Sequence, residues 1–289
     1  MVIHLLDVPY SLGREATGSG LGPGRLLDAG LPALLQQSGH LTRLVHVRRA
    51  EDFRHEIGAA FDVSRTLAGC VGEAIEGGAF PLVLAGDCSA CLGILAGMGT
   101  GRTGMVWFDS HGDFNTPETT VTGFLGGMPL SAAVGRCWTA LCATLPGFRA
   151  VAESRVVLCD ARALDPREEE ELRASAVRVV DGRRVGRLGI QEALRHPVGA
   201  LAAEVDNIYV HVDLDVLDPQ QVRANIYEEP GGLTVDDVIA GVEAVAERMP
   251  IRAAALTAYD PGYDDSGRAA AAGLRIVSAL ADAVAATRR

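Results

Sequence analysis

Short apolar runs, each closed by Gly, Asp or Pro, alternate along this chain with longer stretches of helical period. The runs at 2–6, 41–47, 81–85, 104–108, 155–158, 177–180, 207–212 and 251–256 read as strands. Between them, 54–75, 90–96, 128–143, 166–175, 185–194, 234–246 and 266–287 read as helices. Strands such as PLVLA and NIYVHV are near-continuously apolar, the signature of a sheet buried on both faces, and strand alternating with helix makes that sheet parallel. No charge run, low-complexity linker, composition break or repeat divides residues 1–289, so the pattern predicts a single domain. In an open parallel sheet, ligands gather beyond the carboxyl ends of the strands. Polar residues directly after an apolar run therefore carry the most weight.

With 48% hydrophobic and 22% charged residues, the chain has the make-up of an ordinary globular protein. Its formal net charge of -11, with 26 scattered basic residues, argues against nucleic-acid or anionic-membrane partners and for a small molecule. The start, MVIHLLDVPYSLG, has no basic leader region, and no later run approaches the roughly 18 apolar residues of a membrane span. The expectation is a cytoplasmic protein. Six cysteines are too sparse for a disulfide scaffold, and most lie in apolar segments where a thiol packs as a small hydrophobe.

Three strand ends carry chemistry. GMVWF is followed by Asp109, Ser110, His111, Gly112, Asp113, Phe114 and Asn115; IYV by His211, Val212, Asp213, Leu214, Asp215 and, further on, Asp218 before Pro219; PLVLA by Gly86, Asp87, Cys88 and Ser89. Asp109 with His111, and Asp213 with Asp215, have the spacing of two that places side chains on one face of a strand. Singly, each acid reads as a helix cap or turn former. Together they are too many caps for one sheet edge, although Asp218 remains a turn residue. Four converging carboxylates would repel one another and bind protons unless cations compensate them. A pair of divalent ions does so and can acidify a shared water, and an oxygen-rich, nitrogen-poor set suits Mn²⁺ better than structural zinc.

Within VLAGDCSACLG, Cys88 and Cys91 pose a separate question: redox couple, half a zinc site, nucleophile or buried packing. The redox reading lacks a thioredoxin-like context and the zinc reading lacks a second Cys or His pair. Gly18, Gly20 and Gly22 do not satisfy a phosphate-loop pattern and read as a flexible loop near the site.

The segments WFDSHGDFNTPET, HVDLDVLDP and GDCS, with GLGPGRLLDAGL near the start and TAYDP near the end, resemble the arginase and agmatinase superfamily over essentially the whole chain. The resemblance implies a three-layer α/β/α domain holding two Mn²⁺ ions, commonly within a trimer or hexamer, in which metal-bridging hydroxide attacks a guanidinium carbon. It implies Asp109, Asp113 and Asp213 as ligands of a first ion, and Asp109, His111, Asp213 and Asp215 around a second. Asn115 and Thr122 match positions that bind the α-carboxylate of arginine, and Asp165 and Glu168 match positions near its α-amino group. The last two also suit a helix start, Asp before Pro with acids in the first turn.

The chain departs from that pattern at three places. The usual metal-binding His is Cys88, the arginase proton-shuttle His is Gly126, and the Glu that contacts the guanidinium is Ala258. Metal chemistry is retained while handling of the head group has changed. An N-hydroxyguanidine, less basic than guanidine, fits these losses, so the expected substrate is N-hydroxy-L-arginine, ahead of arginine and formimino-amino acids. Glu228 and Glu229 read either as solvated side chains or, one of them, as the source of the lost carboxylate. Two further readings stand beside this one: a non-catalytic relative emptied of metal by Cys88, and a thiol enzyme with Cys88 as nucleophile.

Overall fold

The computed structural model describes residues 1–53, 55–99 and 101–287. Its frame is one sheet of eight parallel strands: β1 (Val2–Val8), β4 (Leu41–His46), β5 (Phe80–Ala85), β6 (Thr103–Phe108), β7 (Val156–Cys159), β8 (Arg178–Val180), β9 (Asn207–Asp213) and β10 (Ile251–Thr257). They lie in the order β4-β1-β5-β10-β9-β6-β7-β8, and a two-residue hairpin, β2 (Tyr10–Ser11) with β3 (Arg14–Glu15), stands apart. Every expected strand is present; β5, β6, β7 and β9 are buried throughout, as their apolar runs require, while the edge strand β4 is largely exposed.

Alternate residues of each strand feed two cores. Ile3, Leu5, Leu82, Leu84, Val106 and Phe108 pack with α1 (Gly22–Asp28), α2 (Leu31–Gln37), α9 (Ile190–Ala202), α10 (Val235–Ala246) and α11 (Arg268–Thr287). Leu6, Val83, Ala85, Met105, Trp107 and Tyr209 pack with α3 (Glu56–Glu76), α4 (Ala90–Met98) and α5 (Pro129–Ala133) on the other side. The result is the expected α/β/α layering.

The helices follow the pattern less closely. The segment 128–143 is not one helix: α5 stops before Gly135, whose φ of 84° leaves the helical region, and α6 is only Thr139–Cys142. Likewise Gly189, at φ 75°, splits the predicted 185–194 into α8 (Gly182–Leu188) and α9, which runs on through Pro197. Predicted helix 54–75 is α3, its first residue lying outside the described ones. The segment at Gly18, Gly20 and Gly22, expected to be a loop, forms a 3-10 turn (Gly18–Leu21) leading into α1. The remaining helix, α7, is Pro166–Ala174. Against the expectation from the sequence, α11 is long and apolar enough to match a membrane span by length and composition; half of that window is buried inside the fold, with Ile276, Val277 and Leu280 in the core.

Candidate metal centre

Because all eight strands run parallel, their carboxyl ends lie on one edge, and there a cleft of about 1250 Å³ opens. Cys88, His111, Asp113, Asp213 and Asp215 contribute to its lining, with Asp109 buried directly behind. The central strands β9 and β6 deliver Asp213 and Asp109, and the turn after β5 delivers Cys88. The convergence expected from the sequence is therefore present, but its local cause differs. His111 lies beyond the end of β6, and Asp215 sits in a 3-10 turn (Leu214–Val216) whose N–H bonds Asp213 Oδ1 at 2.9 Å, so neither pair shares a strand face.

The cluster is held from beneath. Trp107 Nε1 donates to Asp109 Oδ2 at 2.9 Å and the His111 N–H to Asp109 Oδ1 at 2.7 Å. Ser110 Oγ donates to Asp215 Oδ1 at 2.8 Å, and Asn225 Nδ2 reaches both Asp215 Oδ2 (3.3 Å) and the Ala258 carbonyl (2.9 Å). Cys88 Sγ donates to Asp213 Oδ2 at 3.0 Å. Asp113 takes a left-handed φ of 48°, as does Ala258 at 61°, conformations that cost non-glycine residues energy and concentrate at working sites.

Burial and mutual repulsion push the carboxyl groups of Asp113 and Asp213 well up, and burial raises Asp109 as well. Burial acts against charge on His111 too, but the Asp109 and Asp215 carboxylates outweigh it and push the imidazole up to about 12. Asp215, pressed upward by burial, is held below its ordinary value by His111. Asp113 Oδ2 is buried with no hydrogen-bond partner. An acid cluster that must hold protons, one oxygen orphaned, fits divalent cations physically: Asp109, His111 and Asp215 offer donor atoms within 4.8 Å of one another, and so do Cys88, Asp109 and His211.

The thiol is not primed for attack. Burial first, then Asp213, Asp113 and Asp109, push the Cys88 thiol well above its ordinary value, against the low pKa a nucleophile needs. Cys91 packs at 0% exposure with its sulfur toward the Pro129 carbonyl, as expected. Asp218 accepts from Gln220 N in a turn.

The substrate positions surround the same cleft. Asn115 Nδ2 donates to Asp165 Oδ2 at 3.1 Å, and Thr122 is exposed at the rim with its hydroxyl accepting from Phe124 N. Glu168 is 4% exposed and accepts from the N–H groups of Phe114 (2.9 Å) and Asp165 (3.1 Å), bracing the loop that carries Asp113. The helix-start reading of Asp165 and Glu168 is thus realised as a capping box. Glu228 pairs with exposed Arg223, while Glu229 lines the cleft.

The sequence reading gave no role to His211 or Thr257. His211 stacks on Trp107, with ring centroids 3.6 Å apart, and reaches the Tyr209 hydroxyl and Thr257. His211-x-Asp213 has the same spacing as Asp109-x-His111 and could have flagged it.

Comparison with known proteins agrees with this geometry. The Arginase family profile matches residues 2–281. The arginase of Bacillus caldovelox is 30% identical over 96% of this chain and 97% of its own. The crystal structure of arginase from Bacillus cereus superposes with a TM-score of 0.88 at 27% identity, covering 97% of this chain and 98% of that one. That of formimidoylglutamase from Bacillus subtilis, at 16% identity and a TM-score of 0.80 over 98% of this chain and 86% of that one, shares the fold. With profile, relatives and site geometry in agreement, the chain belongs to the arginase family.

Proposed function

We propose that this hydrolase of C–N bonds in linear amidines is a two-Mn²⁺ enzyme acting on an arginine-like amino acid, with N-hydroxy-L-arginine as preferred substrate and ornithine and hydroxyurea as products. The first ion would be held by Cys88, Asp109, Asp113 and Asp213, and the second by Asp109, His111, Asp213 and Asp215. When bound, the pair supplies a water acidic enough to attack near neutral pH and a Lewis acid for the reacting carbon. The chain does the rest. Asp113, with His111 beside it, would take a proton from the attacking water and return it to the leaving nitrogen. Asn115 has one amide hydrogen beyond its bond to Asp165, and the Thr122 hydroxyl hydrogen is free of its bond to Phe124, so both can donate to a carboxylate. Asp165 faces the same cleft as an acceptor for the amino group.

The observation that carries the substrate choice is at the head-group end. A side chain at Gly126, where arginases carry the shuttle His, would place its Cβ 2.4 Å from the Phe124 ring. Ala258, in place of the guanidinium Glu, offers no carboxylate. A site stripped of these groups suits a head group that needs less protonation to leave and less charge pairing to bind. Arginine is the runner-up, supported by the arginases among the relatives. A panel of N-hydroxy-L-arginine, L-arginine, agmatine and N-formimino-glutamate, with ornithine and urea-type products quantified, tests this. N-hydroxy-L-arginine should give the highest kcat/KM; faster arginine turnover at the same Mn²⁺ loading overturns the choice.

The free state of all six cysteines supports a reducing, cytoplasmic setting. The family coverage supports a single unit over 1–289, which we place in a homo-oligomer. Sizing by light scattering at several concentrations checks the assembly.

A further inference from the structure

We propose that His211 is an additional imidazole ligand of the first metal site, acting with Cys88 and Asp109, and that this nitrogen, sulfur and oxygen set lets that site take a borderline ion such as Zn²⁺, Co²⁺ or Fe²⁺ in competition with the Mn²⁺ proposed above. The inference rests on the two-metal reading above. A ring nitrogen of His211, Cys88 Sγ and a carboxylate oxygen of Asp109 all lie within 4.8 Å of one another. Bonds of about 2.0–2.3 Å to one central ion bridge such a spacing with little movement. All three side chains are buried, at 0%, 5% and 1% exposure respectively, so the donors meet at the floor of the cleft, largely withdrawn from solvent.

The imidazole is aimed rather than merely packed. In the sheet, His211 stands beside Trp107 on β6 and Ala255 on β10, and the small alanine leaves room for the large rings. It stacks on Trp107 with an interplanar angle of 11°. Its Nδ1 lies 2.6 Å from the Tyr209 hydroxyl, while Nε2 lies 3.2 Å from Thr257 Oγ1, which is itself 3.4 Å from Cys88 Sγ. Nε2 is the ring nitrogen on the sulfur side, and in the tautomer that donates Nδ1–H to the phenol oxygen it carries a lone pair there. This is how metal-ligating imidazoles are commonly fixed, one nitrogen held and the other bound. Thiolate and imidazole together favour zinc-like ions, whereas Mn²⁺ prefers oxygen donors. The structure thus points to an imidazole relocated from the turn after β5 to the floor of β9, with Cys88 in front of it.

X-ray absorption on protein loaded with two equivalents of Co²⁺ tests this by counting donors. The wild type should show one sulfur and two imidazoles, from His111 and His211. His211→Phe keeps the ring stack and should lower the imidazole count to one, weakening one of the two ions by about 100-fold or more. His211→Gln provides a second, smaller replacement. Cys88→Ser should remove the sulfur and leave both imidazoles. With equimolar Mn²⁺ and Zn²⁺, one site should fill with zinc. Two bound ions with a single imidazole in the wild type, or an unchanged donor count in a folded His211 variant, overturns the proposal alone. A wild type that binds no ion overturns it together with the two-metal reading.

Discussion

At the scale of single residues, the centre is a set of charges that water cannot reach and that oppose one another. Asp113 shows this most clearly, since burial and the neighbouring carboxylates raise it and one oxygen has no partner. Asp113→Asn should therefore raise the melting temperature of the metal-free protein, by roughly 2–4 °C per kcal/mol of repulsion relieved. The same change should cut turnover by at least about 100-fold, because the proton carrier is gone. Calorimetry and a steady-state assay read the two effects in opposite directions. The titrations predict a pH trend as well. His111 holds its proton up to about 12 in the folded protein but releases it near its ordinary 6.5 when unfolded. Between these limits the folded state binds more protons at His111, so stability falls as pH rises, and the raised Asp113 and Asp213 carboxyls act in the same direction. Metal-free protein should melt lower at about pH 9 than at 6.5, and added Mn²⁺ should flatten the slope by replacing those protons. A flat profile without metal would count against the charged cluster.

At the scale of elements, the turn after β5 and the loop around Phe124 do most to shape the site. A Cβ at Gly86 would lie 2.3 Å from the Tyr10 carbonyl and 2.8 Å from Gly20, so the turn that delivers Cys88 is seated on the Gly18–Leu21 segment. Gly86→Ala should cost about 1–3 kcal/mol in urea unfolding and loosen metal binding with it. The Phe124 ring occupies the space beside Gly126, and it tilts against Tyr227 at a centroid distance of 5.3 Å. Gly126→His alone should collide with that ring and gain little. Combined with Phe124→Ala, it should raise arginine kcat/KM by up to about 100-fold if it restores an acid or base to the head-group end. All eight strands of the sheet were legible in the apolar runs, the central ones most plainly because a strand covered on both faces tolerates few polar positions. The helix breaks at Gly135 and Gly189 were not, since the helical period continues across them while a positive φ does not. The 3-10 turn that carries Asp215 was not legible either: Asp213 and Asp215 repeat at the strand-like spacing of two, although the backbone turns after Asp213.

At the scale of the whole molecule, the strand order decides why residues more than 100 positions apart meet. β5, β10, β9 and β6 are adjacent in the sheet although far apart in sequence, so Cys88, Thr257, Asp213 and Asp109 gather at one edge. The motif spacing in the sequence marked these positions, apart from Thr257, and the resemblance supplied their partners. Neither gave His211 a role: its spacing of two from Asp213 was a signal left unused, and its stack with Trp107 and reach to Thr257 are contacts across three strands. The central claim is that this edge is a two-ion centre, and metal content per chain is its most direct test. Protein stripped of metal, incubated with divalent cations and freed of excess should retain close to two ions per chain, with hydrolysis of N-hydroxy-L-arginine rising in step with occupancy. Fewer than about one ion per chain would contradict the account, because so buried a set of acids does not persist charged without a counter-ion.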